Sequence, residues 1–599
     1  MTIAQKVKNL LKKPIKPYPS VIERMDNWPI FKLSQDRKHF IKEIDEFTLN
    51  RIVKGKSKLY DLLAQTIYQE RIRIKDTPWK VDPPNEAQFW NKIRSGLLKS
   101  ENETKQKAQE THKELLHKII HRYSEEIVGT FSIPTFRFAR GFLSVFFSRL
   151  LNAAAERWWR MFGTRYQLHE RLQVYGETDT IRTLFEKGIV VVVPTHFSNL
   201  DSILVGYVMD HILGLPSFSY GAGLNLYNSG LPAFFMNRLG AYRVDRRKKN
   251  DIYLETLKSM SNLSIQRGIN SLFFPGGTRA RSGMVENRLK MGLLGTVVEA
   301  QRTLCQKHIS QHQHKPTESE KQEETPQKIF IVPLVISYHF VLEAPFLIQQ
   351  HLQITGKERY MKGKAEGSSI REWIKFIWQF FSKKSDIILS FGKPMDVMGN
   401  FVDENGVSTD AHGHKIDIKD YFSYVNSKNT EGGVTEDFQR EDEYTKLLAD
   451  KIVDRFHREN IVLSSHVVAF TAFNMLKSKY EDLDLYALLR LPHDDYVFPI
   501  AKFTAAIEAV QTALFELEDK ERLKLSSVVH LSPEQLVQDG LKNLGIYHIR
   551  KPLSFNKKGN IESADFSTLF YYHNRLENFG LTKRVRWEKF KIELTIEDK

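Results

Sequence analysis

Apolar and polar positions change rhythm twice along the chain. Up to about Gly163 apolar residues recur at helical spacing within long polar stretches. In SENETKQKAQETHKELLHKIIHRYSEEI, for example, Leu115, Leu116, Ile119 and Ile120 share one face. From about Ile189 short β-rich runs alternate with helical ones: IVVVVP (189–194), AYRVD (241–245), SLFFP (271–275), IFIVPLVIS (329–337) and DIILSFG (386–392). This alternation predicts an α/β unit, a mostly parallel sheet with flanking helices. Uninterrupted apolar runs such as IVVVVP predict strands buried on both faces. From about Glu441 the pattern is helical again.

The expected division is an N-terminal helical, basic region over 1–165, the α/β unit over 166–398 with a polar loop at 306–328, a polar linker over 399–440, and a C-terminal helical region over 441–599. His308, His312 and His314 fall in the first polar loop. With no carboxylate or cysteine frame around them, they read as a solvated loop rather than as metal ligands.

Composition narrows the class. The chain has 599 residues, 41% of them hydrophobic and 12% aromatic, which excludes global disorder and allows several cores. Its one cysteine, Cys305, excludes an intramolecular disulfide and any cysteine-based zinc cluster. Lys and Arg number 88 against 72 Asp and Glu, a net charge of +16, so a soluble anionic partner, an anionic surface and an anionic substrate are the candidate destinations of that charge. No helix-turn-helix, zinc or RNA-binding signature accompanies it, and nucleic acid is not expected as a partner. The opening MTIAQKVKNLLKKPIKPYPS scatters Lys6, Lys8, Lys12, Lys13 and Lys16 among single apolar residues and lacks the apolar core of a signal peptide. The most apolar stretch, Gly141 to Ala155, is too short to span a bilayer and carries Arg149, so no transmembrane helix is expected.

Candidate chemistry gathers where predicted strands end. After IVVVVP come Thr195, His196, Phe197, Ser198, Asn199, Leu200 and Asp201, and in α/β sheets ligands collect beyond the carboxyl ends of strands. An Asp five residues after a His can fold back onto its Nδ1 and leave Nε2 as a base; the other reading is a helix N-cap Asp beside a structural His. The dyad suits an enzyme whose substrate hydroxyl is the nucleophile and whose acceptor carbonyl is already activated, as in a thioester. A second strand runs into FPGGTRARSG, a glycine turn with Arg279 and Arg281 at alternate positions, of the kind that lets backbone and guanidinium groups approach a phosphate. A third cluster, GAYRVDR, adds Arg246, and Lys290 follows in RLKMG.

Taken together, the set resembles the glycerolipid acyltransferases that act on glycerol phosphates, in four blocks and in the family's order. HFSNLD matches the His-x4-Asp block, which implies His196 as general base and Asp201 as its orienting partner. GAYRVDR is similar to the second block, Gly-Ala-Phe-Phe-Ile-Arg-Arg, implying a phosphate-binding role for Arg246. FPGGTRARSG resembles Phe-Pro-Glu-Gly-Thr-Arg-Ser-Arg-Ser-Gly, making Arg279 the implied phosphate ligand and Gly277 the turn glycine; Arg281 and Lys290 extend the same cluster. IVPLVISY matches the fourth block, with Pro333 as an implied wall of the acyl pocket. One departure stands out: Gly276 occupies the place of the third block's usual Glu, as in the plastid branch, which leaves acceptor geometry open.

ISYHFVLEAPFLIQQHLQITGKERY, ILSFGKPMDV and the C-terminal RENIVLSSHVVAFTAFNML and LFYYHNRLENFGL resemble the large glycerol-3-phosphate acyltransferases, whereas the short lysophosphatidate acyltransferases stop near the core. The resemblance therefore implies transfer of an acyl group from a thioester to the sn-1 hydroxyl of glycerol 3-phosphate, with a lysophosphatidate or other lysophospholipid acyltransferase as the alternative. Acyl-CoA and acyl carrier protein both remain open as donor, dihydroxyacetone phosphate remains open as acceptor, and no cofactor or metal is expected. Membrane-compatible substrates imply a peripheral place on the cytoplasmic face of a bilayer. Phe131 to Phe162 interleaves Arg137, Arg140, Arg149, Arg157 and Arg160 with Phe, Leu and Trp, a pattern suited to an anionic membrane surface at about 1 kcal/mol per Lys or Arg.

Overall fold

A computed structural model describes residues 17–55, 58–152, 172–227, 234–312, 326–355, 387–425, 431–434, 437–546 and 548–591. Its organising element is a seven-stranded sheet of β1 (Leu172–Gly176), β2 (Gly188–Pro194), β3 (Ser219–Gly223), β4 (Ala241–Val244), β5 (Ser271–Leu272), β6 (Lys328–Tyr338) and β7 (Ile387–Phe391), in the order β1-β7-β6-β2-β5-β3-β4. Neighbouring strands run parallel throughout, except β6 against β7. The fold is thus the α/β arrangement that the alternating pattern predicts.

Two strands escape that pattern. β1 (LQVYG) and β3 (SYGAG) contain too few consecutive apolar residues to read as strands. Their extended state comes from pairing: β1 on β7, and β3 between β5 and β4. Hydrogen bonds to neighbouring strands hold them extended although their apolar runs are too short to mark them.

The pleat divides the core. Val190 and Val192 of β2, with Phe330, Val332, Leu334 and Ile336 of β6, join a cluster that includes Val467, Phe470 and Leu476 of the C-terminal helix Ser464–Lys479. Ile189, Val191 and Val193, with Ile329, Ile331 and Val335, face the helices Met291–His312 and Phe438–Arg458 through Leu294, Val298, Leu448 and Phe456. Alternate residues on both central strands are buried on opposite sides, the two-faced burial expected of a covered parallel sheet. Helices of the C-terminal region therefore contribute to both faces of the sheet. The N-terminal helices Arg37–Gly55, Leu59–Asp76, Glu86–Ser100 and Lys105–Ile127 form their own core, which reaches the sheet through the helix Asp251–Gln266 and Tyr242 of β4.

Two stretches expected as polar loops are partly ordered. Residues 306–312 continue the helix Met291–His312, which carries His308, while His314 and residues 313–325 lie outside the described residues. Within 399–420 three short strands, Phe401–Val402, Ser408–Thr409 and Lys415–Ile416, pair antiparallel. Their turns are closed by side chains: Asp403 accepts the N–H groups of Asn405 and Val407, and Asp410 those of His412 and His414. The N-terminal lysines, Arg157 and Arg160 fall outside the described residues, as does the side chain of Arg149. No helix among the described residues is long and apolar enough to cross a membrane.

Candidate active site

β2 delivers the first functional loop. One residue beyond Pro194 the chain is still latched to β6, because the Thr195 N–H donates to the Leu334 carbonyl (2.9 Å) and its Oγ1 accepts the Ile336 N–H (3.2 Å). His196 then turns out of the sheet. Its Nδ1 lies 2.9 Å from Asp201 Oδ2, and the same oxygen accepts the backbone N–H groups of Phe197 (2.7 Å) and Ser198 (2.9 Å). The remaining oxygen, Oδ1, accepts the Tyr338 hydroxyl at 2.6 Å. Asp201 opens the helix Asp201–Tyr207, yet its carboxylate caps none of that helix's N–H groups and turns back on the loop instead. This geometry favours the dyad over the N-cap reading.

A carboxylate that only accepts fixes the proton on Nδ1 and leaves the Nε2 lone pair available. The His196 ring stacks on Phe274 with centroids 4.1 Å apart, and 15% of the side chain remains exposed. Asp201 is wholly buried, and Tyr338 is held well above its ordinary pKa, first by burial and then by the Asp201 charge. A buried carboxylate is costly unless its lone pairs are used. Here four donors use them.

The glycine turn after β5 packs directly on this loop. Ala280 N–H donates to the His196 carbonyl at 2.7 Å. Arg279 Nη1 is 3.4 Å from Glu343 Oε1, which also accepts the Asn199 N–H (2.9 Å), while Glu343 Oε2 accepts the Ser198 hydroxyl (3.1 Å). Gly277 has φ +75°, and a Cβ there would come within 2.7 Å of Lys290 Cδ, so only glycine lets Lys290 lie across the turn. The Lys290 N–H anchors that approach on the Pro275 carbonyl (2.8 Å). Arg281 and Lys290 are exposed. His196, Asp201, Gly277, Arg279, Arg281 and Lys290 thus belong to two loops hydrogen-bonded to each other.

Arg246 and Pro333 sit elsewhere. Arg246 is exposed just past β4, three strands from β2, about 14 Å at the usual inter-strand spacing. Its neighbours are tied to the N-terminal region, Arg247 to Asp82 and Lys248 to Glu126, and Arg247 also pairs locally with Asp245. Pro333 is buried in the middle of β6 opposite Val193, and its carbonyl accepts the Gly392 N–H at 2.9 Å. Its missing N–H is tolerated because regular pairing with β7 ends at Leu334 and Phe391.

Further groups complete the environment. Glu286 Oε1 accepts the His196 N–H at 2.9 Å. Burial pushes its carboxyl up to about 7, against lowering contributions from hydrogen bonds with the backbone of His196 and of Glu286 itself and from the Arg575 charge. Arg575, from the C-terminal region, is itself buried. It donates to the Ile336 carbonyl (2.9 Å), Ser337 Oγ (3.2 Å) and Asn460 Oδ1 (2.8 Å), and stacks 4.1 Å over Phe197. Desolvation lowers it to about 10, and Glu286 heads the charges that resist this. Asn574 and Asn578 donate to the carbonyls of Ser282 and Val285, and Gly283 (φ +84°) allows a backbone approach to Tyr571 that a Cβ would block at 2.1 Å from its carbonyl oxygen. Sequence patterns single out none of Glu286, Tyr338, Glu343 and Arg575. The one available signal touches Tyr338 and Glu343, polar groups within the largely apolar run VISYHFVLEAPF; Glu286 and Arg575 lie in segments of mixed polarity.

A family model described as Acyltransferase matches residues 171–337. A glycerol-3-phosphate acyltransferase of Pseudomonas aeruginosa is 23% identical over 314 residues, 52% of this chain and 31% of its own length. Proteins of the same name from Aeromonas hydrophila and Histophilus somni are 27% and 25% identical over 36% and 43% of this chain, and 24% and 27% of their own lengths. The matches thus span less than a third of these curated relatives. A crystal structure of the 1-acyl-sn-glycerophosphate acyltransferase from Thermotoga maritima aligns over 65% of this chain and 93% of its own, at 13% identity and a TM-score of 0.24. The stretch that carries β2, the His196 loop, the glycine turn and β6 is an acyltransferase domain.

Proposed function

We propose that the protein transfers an acyl group from an acyl thioester to the sn-1 hydroxyl of glycerol 3-phosphate. The observation that carries this reading is the free Nε2 of a His196 whose tautomer is set by Asp201, next to a glycine turn bearing Arg279, Arg281 and Lys290. Relatives named glycerol-3-phosphate acyltransferase support the choice of acceptor.

In this reading the cationic turn holds the phosphate, and Nε2 takes the proton from the sn-1 hydroxyl as its oxygen attacks the thioester carbonyl. The tetrahedral intermediate collapses by breaking its C–S bond. The imidazolium returns the proton to the leaving thiolate, giving lysophosphatidate and a free thiol. General-base action of this kind contributes about 10²–10⁴-fold, and orientation by the phosphate clamp adds to it. The deciding assay offers acyl-CoA and acyl carrier protein thioesters separately to glycerol 3-phosphate, lysophosphatidate and dihydroxyacetone phosphate. Acylation of glycerol 3-phosphate in preference to lysophosphatidate supports the reading, and the reverse preference replaces it with a lysophosphatidate acyltransferase.

The reading also includes a peripheral place on the cytoplasmic face of an anionic membrane. Phe138 (64% exposed), Phe142 (56%) and Phe234 (48%) project from the surface, with Phe235 stacked on Phe138 and Arg238 over Phe234. Arg137 is exposed beside them, whereas Arg140 is paired with Asp210 (3.1 Å), on the helical segment that follows the His196 loop. Exposed aromatics flanked by arginines suit the headgroup region.

A further inference from the structure

The turn that carries Arg279 has glycine at 276, and the space this opens is occupied. A Cβ on Gly276 would lie 3.2 Å from Glu286 Cγ and 3.4 Å from Glu286 Oε1. Glu286 reaches this place from ten residues further along the chain. Part of the residue touches the surface, but Oε2 is buried without a hydrogen-bond partner among the described residues, while Oε1 takes the His196 N–H. Burying a carboxylate in this way is expensive. Beyond its own backbone, the carboxylate's hydrogen bond goes to the backbone of His196, whose side chain is the proposed base.

We propose that Glu286 is the positioning residue of His196: its carboxylate enters through the gap left by Gly276, fixes the His196 backbone so that the ring meets both Asp201 and Phe274, and takes Arg575 as its counter-charge. The inference rests on the proposed base role of His196. It assigns Gly276 a purpose as well, since any side chain there competes with Glu286 for the same volume. A Cβ at 276 stands 3.4 Å from the place of Glu286 Oε1, within reach of a glutamate side chain there.

That proximity is the test. Glu286→Ala is expected to lower kcat by about a hundredfold, the scale of a small misplacement of a catalytic group, with KM for glycerol 3-phosphate unchanged within about threefold. Gly276→Glu combined with Glu286→Ala should recover at least about tenfold of that loss. Glu286→Gln keeps volume and an acceptor oxygen and should stay within about threefold of the parent kcat; it carries the test if Glu286→Ala does not fold.

Hydrogen exchange of the peptide spanning 194–201 gives a readout independent of turnover. Exchange should quicken by about tenfold in Glu286→Ala and return to the parent rate in the double variant. A parental kcat in folded Glu286→Ala overturns the proposal. So does a hundredfold loss in Glu286→Gln, a double variant no better than Glu286→Ala, or unchanged exchange. Should the parent protein transfer no acyl group, the reading of the reaction fails, and the exchange measurement still decides the positioning role.

Discussion

Replacing Glu286 by Gln removes a charge that the folded protein holds at a cost, and that cost depends on pH in a way the structure specifies. Burial lifts the carboxyl from 4.5 to about 7 even though Arg575 and backbone N–H groups pull it down. The folded state therefore binds the proton more tightly than the unfolded chain. Between pH 4.5 and 7 it holds more protons, and stability falls as pH rises through that window. At 1.36 kcal/mol per pH unit the full gap is worth about 3 kcal/mol above pH 7, and integration of the same two values leaves about 1 kcal/mol at pH 5. Gln has the same volume, keeps an oxygen for the His196 N–H and has no charge to desolvate. Its stability relative to the parent should thus rise by about 2 kcal/mol between pH 5 and pH 8. The assay is urea unfolding at the two pH values, read by pulsed hydrogen exchange on peptides covering 188–201 and 271–290, so that the local cooperative unit is followed. A Gln variant whose difference from the parent is equal at pH 5 and pH 8, or smaller at pH 8, would refute the claim that Glu286 is held against its solvation.

Other perturbations separate the remaining roles. His196→Ala should lower thioester-dependent acylation by about 10²–10⁴-fold with no change in the far-UV circular dichroism spectrum; full activity would remove it as the base. Tyr338→Phe deletes the donor to Asp201 Oδ1, so stability should fall by about 1.5–3 kcal/mol in denaturant titrations, with kcat reduced more than KM is raised. Arg575→Met removes the donor to the Ile336 carbonyl, Ser337 Oγ and Asn460 Oδ1 and should destabilise the 188–201 unit by about 1–3 kcal/mol, measured as above. In vesicle flotation with anionic lipid, Phe138→Ser combined with Phe142→Ser should reduce the membrane-bound fraction, and equal flotation of parent and variant would count against that surface.

Much of the site was legible because each feature is local. His196 and Asp201 are one turn apart, and Arg279, Arg281 and Gly277 share one loop, so spacing and strand-end position place them together. Arg246 shows the limit of that logic. It stands at a strand end like the others, but the order β2-β5-β3-β4 carries it to the far side of the sheet. Strand order is a long-range property that no local pattern encodes. β1 and β3 were hidden for a related reason, since their neighbours rather than their side chains make them strands.

By itself the sequence determined the alternating core, the His-x4-Asp loop and the cationic glycine turn, because hydrophobic period and short-range geometry are written in consecutive residues. Only the tertiary structure decided what surrounds His196: the Tyr338 hydroxyl on Asp201, Glu343 joining the two loops, and Arg575 arriving from the C-terminal region to face Glu286. These groups act through desolvation and through hydrogen bonds between distant segments, and both come into being when the chain closes on itself.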